Sequence, residues 1–276
     1  MNDAAAIVLA GGRSSRMGSP KASLDWHGST LLRRVTGIVA RAVDGPVIVV
    51  RAAGQALPAL PLSVDVVEDA RAERGPLQGL AAGLEAIGDR AEVAYTSSTD
   101  VPLLHPAFVR CVVRACGEGV DVAVPELAGH RQLLAAAYRV SLLPTVEELI
   151  GADSLRLGLL TERGRVRILD AAGMLADADV ARGDPELASA LNVNDPAAYE
   201  RAQALPPPAV RVKRCRQPGS GASWATVSAW TLGDLAGSLE LTLGADVRAS
   251  LNGNEIAADP ELPLVSGDAV AFAPRA

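Results

Sequence analysis

Short apolar runs alternating with longer amphipathic stretches fill the first two-thirds of the chain, and this rhythm restricts its fold more than any other feature. AAIVLA around Ala5, PVIVV at 46–50, VDVVED at 64–69, EVAYTSSTD at 92–100 and DVAVP at 121–125 read as strands. Helical patterns lie between them, over about 30–43, after Pro76, and over about 105–116. Strand, helix, strand repeated in this way builds a parallel sheet with helices on both faces. The expected architecture is a Rossmann-like, doubly wound α/β domain, in which ligands bind beyond the carboxyl ends of the strands.

The rhythm stops at LPPPAV, 205–210, where Pro206, Pro207 and Pro208 remove amide donors and stiffen an extended link. Two domains are therefore expected, 1–204 and 210–276, joined by a linker at 205–209. Beyond the prolines VRVKRC alternates apolar and basic residues, as a strand with one solvated face does. ATVSAW, a helix near 232–238, RASLNGNEI and DAVAFAP complete a small β-rich unit with one helix. A chain of 276 residues accommodates both.

Composition removes several function classes. Hydrophobic residues make up 49% of the chain but aromatics only 3%, so the core has to be built from Ala, Val and Leu. A net charge of −6 sets up no overall field to attract nucleic acid. No apolar run approaches the roughly 20 residues of a spanning helix, and the amino terminus lacks the order of a signal peptide, so a cytoplasmic protein without a membrane partner is expected. Cys111, Cys116 and Cys215 contain no C-x-x-C pair and read as reduced thiols.

The first strand runs into LAGGRSSRMGSPK, 9–21. Leu9 and Ala10 end the strand, and Gly11 and Gly12 let a bulky ligand approach the backbone, where successive amides can form an anion-binding concavity. Arg13, Arg16 and Lys21 add positive charge, which a purely structural strand-to-helix turn does not need. The spacing is neither G-x-x-x-x-G-K-[ST] nor G-x-G-x-x-G, so the ordinary phosphate-loop and dinucleotide fingerprints do not apply.

Other candidates also follow strands or open helices. Asp100 closes a run of small and β-branched residues, with Pro102 stopping further extension, so its carboxylate belongs at the sheet edge. A lone hard-oxygen ligand there suits Mg²⁺; the alternative is a cap for the helix near His105, for which Asp100 lies several residues early. Asp69 reads equally as a turn former. Gly75, Pro76 and Gly79 make a rigid bend, with Pro76 suited to the first helical position. Asp195 reads as an amino-terminal cap before Pro196, a role that leaves Asn192 and Asn194 unexplained.

The 9–21 stretch resembles the L-A-G-G-x-x-x-R-M-G-x-x-K signature of sugar-phosphate and cofactor nucleotidyltransferases. Together with RGPLQGL at 74–80, TSSTDVPLL at 96–104 and ALNVNDPAAYERA at 190–202, it makes about 5–204 similar to the molybdopterin guanylyltransferase branch of the MobA-like family. The resemblance implies transfer of GMP from GTP to the phosphate of molybdopterin, with release of pyrophosphate and Mg²⁺ held by Asp100. It assigns Leu9, Ala10, Gly11, Gly12, Arg13, Lys21, Arg51, Asp69, Gly75, Gly79 and Asp100 to the nucleotide. Lys21, Arg16 and Asp100 become the catalytic set, and Arg131, Gln132, Asn192 and Asn194 the acceptor side.

Two positions depart from the family pattern. Gln132 is followed by Leu133 where the family often has proline, which leaves a surface turn open for His130 and Arg131. Arg51 stands where guanylyltransferases commonly place asparagine. A CTP-dependent enzyme, another phosphorylated acceptor, or a noncatalytic cofactor-binding scaffold are the competing readings; the set Gly11, Gly12, Lys21 and Asp100 weighs against the scaffold.

The stretch 248–274, with LNGNEI and LVSGDAVAF, resembles the carboxyl half of a β-grasp sulfur carrier, the small subunit of molybdopterin synthase, and the likeness extends over about 209–276. Active carriers end in Gly-Gly, whereas this sequence ends Pro274-Arg275-Ala276. The resemblance therefore implies a docking module for molybdenum cofactor pathway proteins or apo-molybdoenzymes, or a stabilising extension, without sulfur carriage. Arg211, Lys213, Arg214 and Arg216 read as solvated charges of the kind that discourage edge aggregation.

Overall fold

The computed structural model describes residues 4–11, 20–69, 71, 74–214, 223–244 and 246–274. The expectations for Gly12, Arg13, Arg16, the Arg214 side chain, Cys215, Arg216, Arg275 and Ala276 lie outside them. The chain forms two compact units, one of residues 1–24 and 31–199 and the other of 25–30 and 200–276.

The first unit is built on an eight-stranded sheet in the order β3-β2-β1-β4-β7-β5-β6, with β8 also paired to β5. Its strands are β1 (Ala4–Leu9), β2 (Val47–Ala52), β3 (Val64–Asp69), β4 (Val93–Ser98), β5 (Val122–Leu127), β6 (His130–Arg131), β7 (Ala135–Arg139) and β8 (Val166–Leu169). The helices are α1 (Leu31–Ala40), α2 (Pro76–Ile87), α3 (Pro106–Ala115), α4 (Leu143–Gly151), α5 (Leu160–Arg163), α6 (Ala171–Leu175) and α7 (Ala178–Gly183), and the division at residue 199 falls within α8 (Pro196–Gln203). AAAIVL forms β1 because a central parallel strand is covered on both faces and needs an unbroken apolar run. Parallel pairing of β1 with β2 and β4, and of β2 with β3, bears out the expected strand-helix-strand rhythm.

One strand departs from that rhythm. β7 runs antiparallel between β4 and β5. Its direction follows from the chain path: β5 turns through the two-residue loop Ala128-Gly129, both with positive φ, into β6 and then β7. A connection this short joins only antiparallel strands.

Small residues let the layers close tightly in a core with few aromatics. Gly79 and Gly83 face β1 from α2, and a Cβ on Gly83 would lie 2.7 Å from the Cδ1 of Ile7. The core beneath α2 and α4 combines Ile7, Leu77, Leu80, Leu84, Val146 and Leu149 with Tyr138. Cys111 and Cys116 are buried free thiols, and burial pushes Cys116 up to about 11.

The second unit carries β9 (Ala209–Arg214), β10 (Ala225–Ser228), α9 (Leu232–Ser238), β11 (Val247–Leu251), β12 (Asn254–Ile256) and β13 (Ala269–Pro274). Its sheet runs β10-β9-β13-β11-β12, with β9 and β13 parallel and the other pairs antiparallel. Asn252-Gly253, both with positive φ, closes the β11–β12 hairpin. Asn252 also donates to the buried Asp268 carboxylate at 3.0 Å, which joins the LNGNEI and SGDAVAF stretches. Val210, Val212, Leu232, Leu235 and Phe272 fill the space between α9 and the sheet. No helix among the described residues is long and apolar enough to cross a membrane.

Candidate active site

The strand register brings separate pieces of sequence to one edge. Leu9 is level with Val50 on one side and Ser98 on the other, and Ala52 is level with Asp69. The residues at or just beyond these ends therefore sit side by side, as expected for a parallel sheet. They open into a cavity of about 280 Å³ lined by Leu9, Ala10, Gly11, Lys21, Val50, Arg51, Asp69, Gly75, Pro76, Gly79, Ser98, Thr99, Asp100 and Leu134.

Lys21 and Asp100 meet in this cavity. The Lys21 Nζ donates to the Asp100 Oδ2 at 2.6 Å and to the Asn194 Oδ1 at 3.0 Å. The other Asp100 carboxylate oxygen accepts from the Ser98 hydroxyl, and its main-chain carbonyl accepts from the Val193 amide at 2.8 Å. The carboxylate thus has fixed donors on both oxygens at the end of β4. It does not cap α3, whose amino-terminal cap is His105. Asp195 does cap α8, accepting from the Ala198 amide at 2.8 Å.

The far wall is formed by β2 and β3. Arg51 donates to the Glu68 carboxylate at 2.8 Å and to the Gln55 carbonyl at 3.0 Å, while the Gln55 side chain donates to the Ala10 carbonyl at 3.0 Å. Asp69 is buried and accepts from the Arg71 amide at 2.8 Å, so it makes a turn and also lines the cavity. Burial raises its carboxyl above the ordinary range, partly countered by that amide. Gly75 enters α2 with φ of 94°, leaving Pro76 at the start of the helix, and Gly79 packs against Leu9.

Not every sequence candidate gathers here. Arg131 donates to Thr161 at 3.0 Å and to Glu126 at 3.4 Å, and Gln132 donates to the His130 carbonyl at 3.2 Å; neither lines the cavity. Asn192 donates to the Ala190 carbonyl at 3.3 Å rather than joining Asn194 at Lys21. Gly11 is in the wall, but its amide and that of Ala10 both donate to the Val50 carbonyl, at 3.3 and 2.8 Å. Ser98, Thr99, Gln55 and Leu134 were not singled out from the sequence. Only Ser98 and Thr99 carried a signal, being polar residues at a buried strand end.

For a divalent cation the donor set is sparse. No group of three or more His, Cys, Asp or Glu side chains poised to hold a metal occurs among the described residues. A single edge carboxylate beside hydroxyls fits a hard cation such as Mg²⁺, which keeps several waters and takes other oxygens from substrate phosphates.

Residues 6–166 match the sequence family described as a MobA-like NTP transferase domain. A Mycobacterium tuberculosis H37Rv protein named "Probable molybdenum cofactor guanylyltransferase" is 34% identical over 188 residues, covering 62% of this chain and 92% of its own. A Mycobacterium marinum protein of the same name is 36% identical over 161 residues, 57% of this chain and 79% of its own. Among solved structures, molybdopterin-guanine dinucleotide biosynthesis protein A from Archaeoglobus fulgidus superposes with a TM-score of 0.57 at 20% identity, over 72% of this chain and 96% of its own. At that identity the structural likeness speaks to the fold alone.

Proposed function

The chain belongs to the MobA-like NTP transferase family, and from this premise we propose that it moves GMP from GTP to the phosphate of molybdopterin. The observation that carries the reading is the Lys21 ammonium held between Asp100 and Asn194 at the edge of a parallel sheet. In the reaction a phosphate oxygen of the acceptor attacks the α-phosphorus of GTP. A phosphoanhydride bond forms, the bond to the β-phosphate oxygen breaks, and pyrophosphate leaves with its electron pair.

No enzyme nucleophile takes part, so the protein's contribution is alignment and stabilisation of charge. Lys21 faces the triphosphate and offsets the negative charge that develops as pyrophosphate departs. The Ala10 and Gly11 amides are spent on Val50, so the charge assigned to the phosphates comes from Lys21 with Arg13 and Arg16. Asp69, Gly75 and Gly79 border the base and sugar, and Arg51, fixed by Glu68, faces the base. Mg²⁺ at Asp100, when bound, would neutralise charge on the triphosphate oxygens. Asn194 is the acceptor-side residue nearest this chemistry; Asn192, Arg131 and Gln132 extend that side.

The second unit has the strand order of a β-grasp, in which the first and last strands lie side by side at the centre and a helix follows the second. We assign it as a carrier-derived docking module for proteins of the molybdenum cofactor pathway or for apo-molybdoenzymes. The whole is a cytoplasmic, Mg²⁺-dependent enzyme in this reading.

The test is pyrophosphate release by the purified chain with Mg²⁺ and molybdopterin, comparing GTP, CTP and ATP and recording the product mass. Release with GTP and a guanine dinucleotide product is the expected result. Release with CTP alone would move the assignment to the cytidylyl branch and make Arg51 part of base choice. Absence of release with every triphosphate would overturn the assignment.

A further inference from the structure

One buried polar cluster takes no part in the chemistry described above, and it lies wholly within the first unit. Asp184 follows α7 and is 5% exposed. Its two carboxylate oxygens accept from the Ala188 amide at 2.7 Å and the Ser189 amide at 3.1 Å, and the Ser189 hydroxyl bonds to it as well. Ser189, fully buried, accepts in turn from the His105 amide at 2.9 Å, just before α3. The His105 ring is also fixed. Its Nδ1 accepts from the Ala107 amide at 3.1 Å, and it lies so close to Gly183 that a Cβ there would fall 2.3 Å from the His105 Cε1.

Burial raises the Asp184 carboxyl above the ordinary range, while the Ser189 hydroxyl, the Ser189 and Ala188 amides and His105 work against that rise. On β4, burial together with the Asp184 charge pushes the Tyr95 hydroxyl up. Donors gathered on one buried carboxylate fix the chain that carries them, because a departure leaves a buried charge unpaired.

That chain leads directly to the site. Leu187 turns with φ of 51°, and the Ala190 and Leu191 amides close on the Leu187 and Ala188 carbonyls at 3.3 and 3.0 Å. The Val193 amide then reaches the Asp100 carbonyl at 2.8 Å, and the Asn194 side chain accepts from the Lys21 Nζ at 3.0 Å. We propose that Asp184, with Ser189, is a positioning residue for Asn194, so that a carboxylate outside the cavity sets the acceptor side of the site. The inference rests on the acceptor role assigned to Asn194 in the guanylyl transfer.

The test uses the full chain and two readouts. The first is the rate at which an acetylating reagent modifies Lys21, read by peptide mass spectrometry; it needs no substrate. The second is steady-state kinetics with molybdopterin and GTP varied separately. Asp184→Asn keeps the size of the side chain but turns one acceptor oxygen into a donor facing an amide. It is expected to raise Lys21 acetylation severalfold and to lower kcat/KM for molybdopterin by up to roughly tenfold, with KM for GTP near wild type. Combined with Asn194→Ala, it should cause no loss beyond that of Asn194→Ala alone, since one group acts through the other. Val146→Ala, in the core of the same unit, should lower the melting temperature without altering Lys21 acetylation.

A folded Asp184→Asn protein with wild-type acetylation and acceptor kinetics overturns the proposal. Additive losses in the double variant, or the same acetylation change in Val146→Ala, overturn it too. If Asp184→Asn fails to fold, Ser189→Ala decides: increased acetylation supports the coupling and an unchanged rate refutes it. A wild-type chain that does not turn over GTP with molybdopterin would refute the guanylyl assignment, while the acetylation comparison would still report on the coupling of Asp184 to Asn194.

Discussion

Lys21 and Asn194 lie 173 positions apart in the chain, yet the Lys21 ammonium donates to the Asn194 side-chain oxygen at 3.0 Å. The same nitrogen is paired with Asp100, so the loop before α8 is tied to the end of β4 through one ammonium. Removal of either partner should therefore be felt in the chemical step.

Lys21→Ala should lower kcat by about two to three orders of magnitude, the size expected when one electrostatic donor is lost from a transition state. Arg13→Ala should cost less if that side chain only attracts the triphosphate. Single-turnover pyrophosphate release measures both, and equal defects would contradict this division of roles.

Asn194→Ala and Asn192→Ala should separate. Only Asn194 reaches Lys21, so its loss should reduce kcat/KM for the acceptor by roughly tenfold, about the worth of a hydrogen bond to a charged group. The Asn192 amide serves the Ala190 carbonyl, and its variant should stay within about threefold of wild type by the smaller value of a neutral bond. Steady-state kinetics with molybdopterin varied would expose a failure of this ordering.

Gly83→Ala should destabilise the first unit despite improving helix propensity. The added methyl would sit 2.7 Å from Ile7, and overpacking of this kind costs about 1–3 kcal/mol against a gain of about 1 kcal/mol from replacing glycine. Gly237→Ala in α9, where nothing lies within 4 Å, should be neutral or slightly stabilising. Denaturant unfolding of the two variants checks the contrast.

Asp121 provides a pH marker remote from the nucleotide. The Arg165 guanidinium grips both carboxylate oxygens and the Arg165 amide adds a third bond, which holds the carboxyl down at about 2. Because the folded value is depressed, its stabilising contribution is complete above the ordinary 3.8 and is lost as pH falls through about 2. A carbon-13 titration should place the Asp121 midpoint near 2, and Arg165→Ala should move it up toward 3.8. An unmoved midpoint would assign the effect to something other than the guanidinium.

Lys21 and Asp100 were legible in the sequence because each ends a local pattern, a glycine-rich turn in one case and a buried strand in the other. The strand read at 64–69 and the helix read near 232–238 coincide with β3 and α9, the latter capped by the Thr231 side chain. The antiparallel β7 was not legible as such: an apolar run such as LLAAAY carries no direction, and the turn at Ala128-Gly129 sets it. Arg131 and Gln132 belong to the acceptor side by resemblance alone; their side chains pair locally with Glu126, Thr161 and the His130 carbonyl and do not line the cavity. Within the second unit Trp26, in the hairpin formed by residues 25–30, meets the Trp230 ring edge-on at 5.6 Å, a contact that had no signature at all. Neither residue completes a pattern in its own neighbourhood, and contacts across such a separation are properties of the folded chain.

The discontinuity of the second unit bears on how the protein is made. Trp26 leaves the ribosome roughly 200 residues before Trp230, a delay on the order of ten to forty seconds at ordinary rates of synthesis. Throughout that interval the ring has no partner from the carboxyl-terminal unit, and a nascent chain halted at the proline linker would present it to chaperones or to other nascent chains. The amino-terminal portion, though it contains every residue assigned to the chemistry, completes its own hairpin packing only after Trp230 has been synthesised.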